Sequence, residues 1–190
     1  MDLNHLVSAL HHALPGPVRW SGSVARRMRQ FNIALEDKKS GSSNTDALTL
    51  ADLTVQELLV GALRDGDPAL RHCRIAAEET TGDLLRFASD SPYTLCLDPI
   101  DGTKQYRDKT GNGYSVILTL QGRDNLHYSL VMLHEWGPHG TWVEVYGDRV
   151  VTGPDDPSRP AGEVLDSFPA ITRERWNTTP PVGANRRRST

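Results

Sequence analysis

An α+β fold, with helices packed on a largely antiparallel sheet, is what this sequence predicts. Three observations carry it. Early in the chain, apolar residues recur three to four apart, the spacing of amphipathic helices. From residue 73 to 146 the pattern changes to short apolar runs of strand length. The last four of those runs are separated by Gly-bearing turns, as in consecutive antiparallel strands. Helices laid on such a sheet form a layered domain.

Leu3, Leu6, Val7, Leu10 and Leu14 define a first helix, and Pro15-Gly16-Pro17 breaks it. Val24, Met28, Phe31 and Leu35 define a second. Residues 38–47, rich in Lys, Ser, Gly and Asn, read as a loop. Thr54-Val-Gln-Glu57 is a capping-box pattern, and Val55, Leu58, Leu59, Ala62 and Leu63 follow at helical spacing. A third helix is therefore expected over 54–65, with Asp52 just before its start. Strands are expected near 73–77, 93–98, 114–120, 127–133 and 141–146. Beyond residue 150 the character shifts. Six of the twelve prolines fall between Pro154 and Pro181, and Arg186-Arg-Arg188 lies near the end. The expectation is one domain over 1–150 and a Pro/Arg-rich extended or disordered tail over 151–190.

A length of 190 residues suits one ordinary domain, and 37% hydrophobic content is enough for its core. A net charge of −3 argues against a nucleic-acid polymer as main partner but leaves a small nucleotide open. Cys73 and Cys96 fall inside strand-like runs and read as buried thiols of a reducing cytoplasm. The N-terminus lacks the basic start and apolar run of a secretory signal. No stretch approaches the roughly 18 apolar residues of a membrane helix. A cytoplasmic protein with no membrane partner is expected, with self-association left open. His11 and His12 are neighbours on a helix, point in different directions and read as surface residues. No Cys or His stands at the spacing of a zinc site.

The chemistry concentrates in Leu97-Asp98-Pro99-Ile100-Asp101-Gly102-Thr103. Pro99 stiffens the backbone between two carboxylates. Gly102 permits a sharp turn that leaves N–H groups open to an anion, and Thr103 adds a hydroxyl. Hard carboxylate oxygens at a strand end suit a hard cation such as Mg²⁺, and the open N–H groups suit a phosphate. Asp, Pro and Gly are also ordinary turn residues. What weighs against a simple turn is a second acidic strand end, Glu78-Glu79, twenty residues before Asp98. Carboxylates focused on one point repel one another, and a cation is their natural partner. Asp52 is a third acidic position. It either complements a helix N-terminus or orients a water for attack on phosphorus.

Together, Asp52, Glu78-Glu79 and Asp98-Pro-Ile-Asp-Gly-Thr103 resemble the signature of the inositol monophosphatase superfamily. Its members are Mg²⁺-dependent, typically lithium-sensitive phosphomonoesterases. Asp46-Ala-Leu-Thr-Leu-Ala-Asp52-Leu-Thr54 is similar to the family segment around its first acidic residue. The resemblance covers residues 1 to about 150 and implies the N-terminal domain of that fold. The family's C-terminal domain, with its Trp-Asp and following small residues, has no counterpart; Trp176 is followed by Asn177. Residue by residue, the resemblance implies that Glu78, Asp98 and the Ile100 carbonyl hold one Mg²⁺. Asp98 and Asp101 begin a second metal site. Asp52 and Thr103 polarise the attacking water, and the N–H groups of Gly102 and Thr103 hold the phosphate. The implied chemistry is two-metal activation of water.

Inositol monophosphatases usually continue the motif with Thr-Asn-Phe. The branch that hydrolyses 3′-phosphoadenosine 5′-phosphate has Lys, a variable residue and an aromatic. Lys104-Gln105-Tyr106 therefore resembles the 3′(2′),5′-bisphosphate nucleotidase branch, with Lys104 beside the substrate's phosphates. Inositol monophosphate is the alternative substrate. Without the second domain, a catalytically weak or dead pseudophosphatase that retains a metal-binding half-site is the alternative function.

Overall fold

The computed structural model of the chain describes residues 2–31, 49–110 and 113–171. The expected loop over 38–47, Leu35, and residues 172–190 of the expected tail lie outside these. Helix α1 (Leu3–Ala13) is capped by Asp2, whose Oδ1 accepts from the Asn4 N–H at 3.0 Å. Leu6 and Leu10 face the core. Helix α2 (Pro15–Phe31) begins at the expected break, because proline in a first turn gives up no hydrogen bond that a helix needs. Its buried line is Val18, Ser21, Gly22 and Ala25. The expected line through Val24, Met28 and Phe31 is displaced, and Phe31 is 64% exposed. The rotation has a cause: the His134 ring lies so close on Gly22 that a Cβ there would sit 1.7 Å from His134 Cε1.

Helix α3 (Leu50–Asp65) starts four residues earlier than expected. Thr49 is its cap, and Asp52 closes the capping box by accepting the Thr49 N–H at 2.7 Å. Asp52 is thus inside the first turn rather than ahead of the helix. Thr54 is also inside, its hydroxyl donating to the Leu50 carbonyl at 2.8 Å. Val55, Leu59 and Leu63 form the buried face.

Among the described residues six strands make one sheet in sequence order: β1 (Arg74–Ala77), β2 (Thr94–Asp101), β3 (Ser115–Gln121), β4 (Leu126–Leu133), β5 (Thr141–Tyr146) and β6 (Arg149–Pro154). Only β1–β2 is parallel; the other pairs are antiparallel, as the Gly-bearing turns predict. Leu95, Leu97, Leu118, Leu120, Leu130 and Trp142 alternate onto the buried face. Cys96, Ile117, Val131 and Val143 occupy the other face and are half-buried, so Cys96 is not the buried thiol expected, whereas Cys73 is. A six-residue helix, α4 (Thr103–Asp108), follows β2 directly.

The expected tail is corrected over its described part. Strand β6 pairs with β5, and helix α5 (Ala161–Ser167) buries Ala161, Val164 and Leu165. Prolines end these elements but do not prevent them, because Val151 and the α5 face find an apolar surface. Asp155 fastens the join. Its Oδ1 accepts from Trp142 Nε1 at 2.8 Å and from Arg19 Nη2 at 2.5 Å. The surface placement of His11 is also corrected. Its ring is buried, with Nδ1 2.8 Å from Glu144 Oε1 and Nε2 3.1 Å from Asp166 Oδ1. Among the described residues no helix is long and apolar enough to cross a membrane.

Candidate active site

The parallel register sets the first pair of acids. Ala77 lies opposite Leu97, and the Glu78 N–H continues the ladder by donating to the Leu97 carbonyl at 3.2 Å. Glu78 therefore follows onto the level of Asp98, and the two carboxyls hydrogen-bond to each other. Burial, then the charge of Glu78, then that hydrogen bond, then Asp101 push the Asp98 carboxyl up to about 8. The Ile100 N–H donates to Asp98 Oδ1 at 3.2 Å and holds the turn.

Residues three apart on a regular strand point to opposite faces. Asp98 and Asp101 escape this because β2 is irregular between them. Asp98 lies opposite Ile117 and Asp101 opposite Ser115, so three steps on β2 span two on β3. Both acids thereby share the half-open face. Asp101 Oδ2 accepts from Ser115 Oγ at 3.0 Å. A shallow depression of about 460 Å³, lined by Ala76, Glu78, Cys96, Asp98, Ile117 and Thr119, opens beside them.

Asp52 and Thr103, 51 residues apart, meet at 3.0 Å (Thr103 Oγ1 to Asp52 Oδ1). Thr103 Oγ1 is also 2.8 Å from the Ile100 carbonyl. A hydroxyl has one hydrogen, so it donates to one of these acceptors at a time. Burial raises the Asp52 carboxyl pKa, against the opposing effect of donors from Thr49 and Thr103. Between Asp101 and Thr103, Gly102 adopts φ 90°, a left-handed angle that disfavours other residues. Lys104 stands apart from this network, its ammonium 3.4 Å from Asp108 Oδ2 one turn along α4.

The expected site residues thus form two contacts, the carboxyl pair Glu78–Asp98 and the Asp52–Thr103 hydrogen bond, with Asp101 facing the same side as Asp98. Among the described residues no three His, Cys, Asp or Glu side chains form a ready-made metal cage. The donor chemistry nonetheless fits a hard cation. The donors are all oxygens, and the Glu78–Asp98 contact needs a positive charge between its carboxyls, whether proton or metal.

Sequence reasoning missed Gln56. This buried amide donates to the Glu79 and Thr81 carbonyls at 2.6 and 2.9 Å and accepts the Glu79 N–H at 2.8 Å. It fixes the strand end that carries Glu78. Its position one helical turn after Asp52 was the available signal.

Residues 18–132 match the inositol monophosphatase family. The chain belongs to this family. Among solved structures it is similar to CysQ from Bacteroides thetaiotaomicron, a bacterial family member, at 18% identity and TM-score 0.56, covering 85% of this chain and 56% of that one. An IMPase of Thermotoga maritima matches at 18% identity and TM-score 0.55, over 73% of this chain and 49% of that one. SaIMPase-II bound to 2′AMP matches at 13% identity and TM-score 0.52, over 78% and 48%. The inositol monophosphatase family chain described here spans about half the length of these structures. A comparison with curated proteins gave no match.

Proposed function

We propose that the chain is a Mg²⁺-dependent phosphomonoesterase acting on a small phosphate ester, with 3′-phosphoadenosine 5′-phosphate as substrate. The observation that carries this reading is the Thr103–Asp52 contact, 3.0 Å long, set beside the Glu78–Asp98 pair. Glu78, Asp98, Asp101 and the Ile100 carbonyl are the groups that would hold Mg²⁺. The metal would polarise phosphoryl oxygens and acidify a water.

The chain's own residues do the rest. Asp52 accepts the Thr103 hydrogen, which leaves the Thr103 oxygen to accept a hydrogen bond from the attacking water and aim it at phosphorus. The same choice of acceptor frees the Ile100 carbonyl for a cation. The N–H groups of Gly102 and Thr103 take phosphate oxygens, and Lys104 can leave Asp108 to pair with a second phosphate. The ligands bound by structural neighbours support a small phosphorylated substrate: SaIMPase-II is bound to 2′AMP in one structure and to inositol monophosphate in another. An IMPase/NADP phosphatase is complexed with NADP and Ca²⁺, which supports a divalent cation. A cytoplasmic setting is part of the proposal.

A second reading, a half-site that binds Mg²⁺ without turnover, is favoured by the lack of a ready-made three-acid cage among the described residues. Phosphate release from 3′-phosphoadenosine 5′-phosphate and from inositol 1-phosphate, by the full chain and by Asp98→Asn, separates the readings. The enzyme reading expects Mg²⁺-dependent release that Asp98→Asn abolishes, faster with the nucleotide. Mg²⁺ binding with no release by the unaltered chain would establish the half-site instead.

A further inference from the structure

Helix α4 carries Thr103 at its start, yet it has little to hold it in place. Its six residues are fewer than an isolated helix needs, and Gly102 at its cap makes no side-chain cap bond. Lys109 ends it in a left-handed conformation, φ 54°. The Gln105 carbonyl accepts the Lys109 and Thr110 N–H groups, the latter at 3.1 Å, and the last carbonyls of so short a helix can take further donors from outside it.

Arg29, in the last turn of α2, supplies them. Its Nε donates to the Tyr106 carbonyl at 2.8 Å and its Nη2 to the Gln105 carbonyl at 2.9 Å. The remaining fork nitrogen, Nη1, donates to the Glu135 carboxylate. The guanidinium also lies over two rings, 5.6 Å from the Tyr106 centroid and 5.8 Å from that of Tyr114. Those rings meet edge-on at 4.7 Å. A second tie runs alongside, where the Tyr106 hydroxyl donates to the Ala25 carbonyl at 2.6 Å. A cation at the carbonyl end of a helix is also favoured by the helix dipole. One planar fork therefore joins α2, the end of α4 and the β4–β5 turn. A lysine has no such fork and cannot meet two carbonyls and a carboxylate in a plane.

We infer that Arg29 is a positioning residue for the proposed phosphatase site: by gripping the carbonyl end of α4 it holds Thr103, at the other end, against Asp52. Its hydrogen bonds go to Gln105, Tyr106 and Glu135 rather than to Glu78, Asp98 or Asp101, so it acts through the placement of α4, which carries the Thr103 hydroxyl. The inference rests on the proposed function for its catalytic consequence but not for its structural one.

The test uses the full chain as Arg29→Ala and Arg29→Lys, with two readouts. The first is amide hydrogen exchange. In Arg29→Ala, amides of residues 103–108 should exchange about tenfold faster or more while those of β3 and β4 are unchanged, the mark of local rather than global loosening. The second is Mg²⁺-dependent hydrolysis of an aryl phosphate. Here kcat should fall roughly tenfold to a hundredfold, as expected for a misplaced reacting group, with KM little altered. Added guanidinium ion should restore part of kcat, and Arg29→Lys should be intermediate. The Mg²⁺-induced rise in melting temperature should stay as in the unaltered chain. Unchanged exchange over 103–108 in Arg29→Ala overturns the inference. An unaltered chain that releases no phosphate defeats the proposed function instead, and the exchange readout still decides what Arg29 does.

Discussion

The carboxyls of Glu78 and Asp98 meet at the end of the parallel β1–β2 pair, a contact that two carboxylates cannot make without a shared proton or a cation between them. The folded chain keeps that proton on Asp98 up to about pH 8, whereas the unfolded chain releases it around 3.8. The stability this lends is complete below 3.8 and is lost as pH rises toward 8. Thermal melts should therefore show a decline from mildly acidic to mildly alkaline pH that Asp98→Asn reduces. If Mg²⁺ binds as proposed it takes the place of the proton, so its stabilising effect should be largest at the alkaline end and small in Asp98→Asn. An equal Mg²⁺ response in both proteins would remove Asp98 from the metal site.

Thr103 and Asp52 should separate stability from turnover. Thr103→Val deletes the hydroxyl, and the loss in kcat should be on the order of 10²–10⁴-fold, the usual worth of a positioned proton acceptor. Thr103→Ser should retain most activity. Asp52→Asn keeps an oxygen for the Thr49 cap but not the acid, so its melting temperature should fall little while kcat falls with Thr103→Val.

His11 should behave as a buried cation. Both ring nitrogens face carboxylates, Glu144 at 2.8 Å and Asp166 at 3.1 Å, so only the doubly protonated ring serves both. The hydrogen bond with Glu144 raises its pKa above 6.5, against desolvation. Its contribution is full below 6.5 and fades as pH climbs through the raised value. Tyr128 also donates to Glu144 at 2.9 Å, while Glu144 Oε2 accepts no hydrogen bond and has the Arg149 guanidinium 4.0 Å away. His11→Ala should thus cost about 3–5 kcal/mol at acidic pH, where it strands a buried carboxylate, and less at alkaline pH. Denaturant melts at both ends check this.

Asp155 should prove structural. Asp155→Ala removes a buried acceptor from Trp142 and Arg19 and should cost about 3–5 kcal/mol in denaturant melts. A loss below about 1 kcal/mol would mean that the segment after β6 is loosely attached, as surface ion pairs are.

The sheet and first helices were legible because their signals are local: Leu3, Leu6 and Leu10 or the run Leu95–Leu97 declare their period within a few residues. Asp52, Glu78, Asp98, Asp101 and Thr103 stood out through the string Asp98–Thr103 and the family resemblance it carries, and the Asp52–Thr103 and Glu78–Asp98 contacts are what the fold adds. What escaped depended on partners far away. Thr54 begins the capping pattern read in the sequence, but the Asp52 carboxylate closes a box on Thr49 and starts the helix four residues earlier. His11 reads as polar surface until Glu144 and Asp166, 133 and 155 residues away, are brought to it. Strand β6 was hidden among prolines because its warrant is the open edge of β5.

The irregularity in β2 makes the motif's length as much a requirement as its acids. Lose one residue between Asp98 and Asp101 and the strand could run straight, with Asp101 back in even step with Asp98 but Pro99 or Ile100 missing from the turn. Add one while the irregularity persists, and the parity inverts, carrying Asp101 to the leucine-lined side. Either change leaves every charged residue in the sequence and dismantles the geometry they share. A scan that counts acids would score such a chain as intact. A ruler laid along the strand would not.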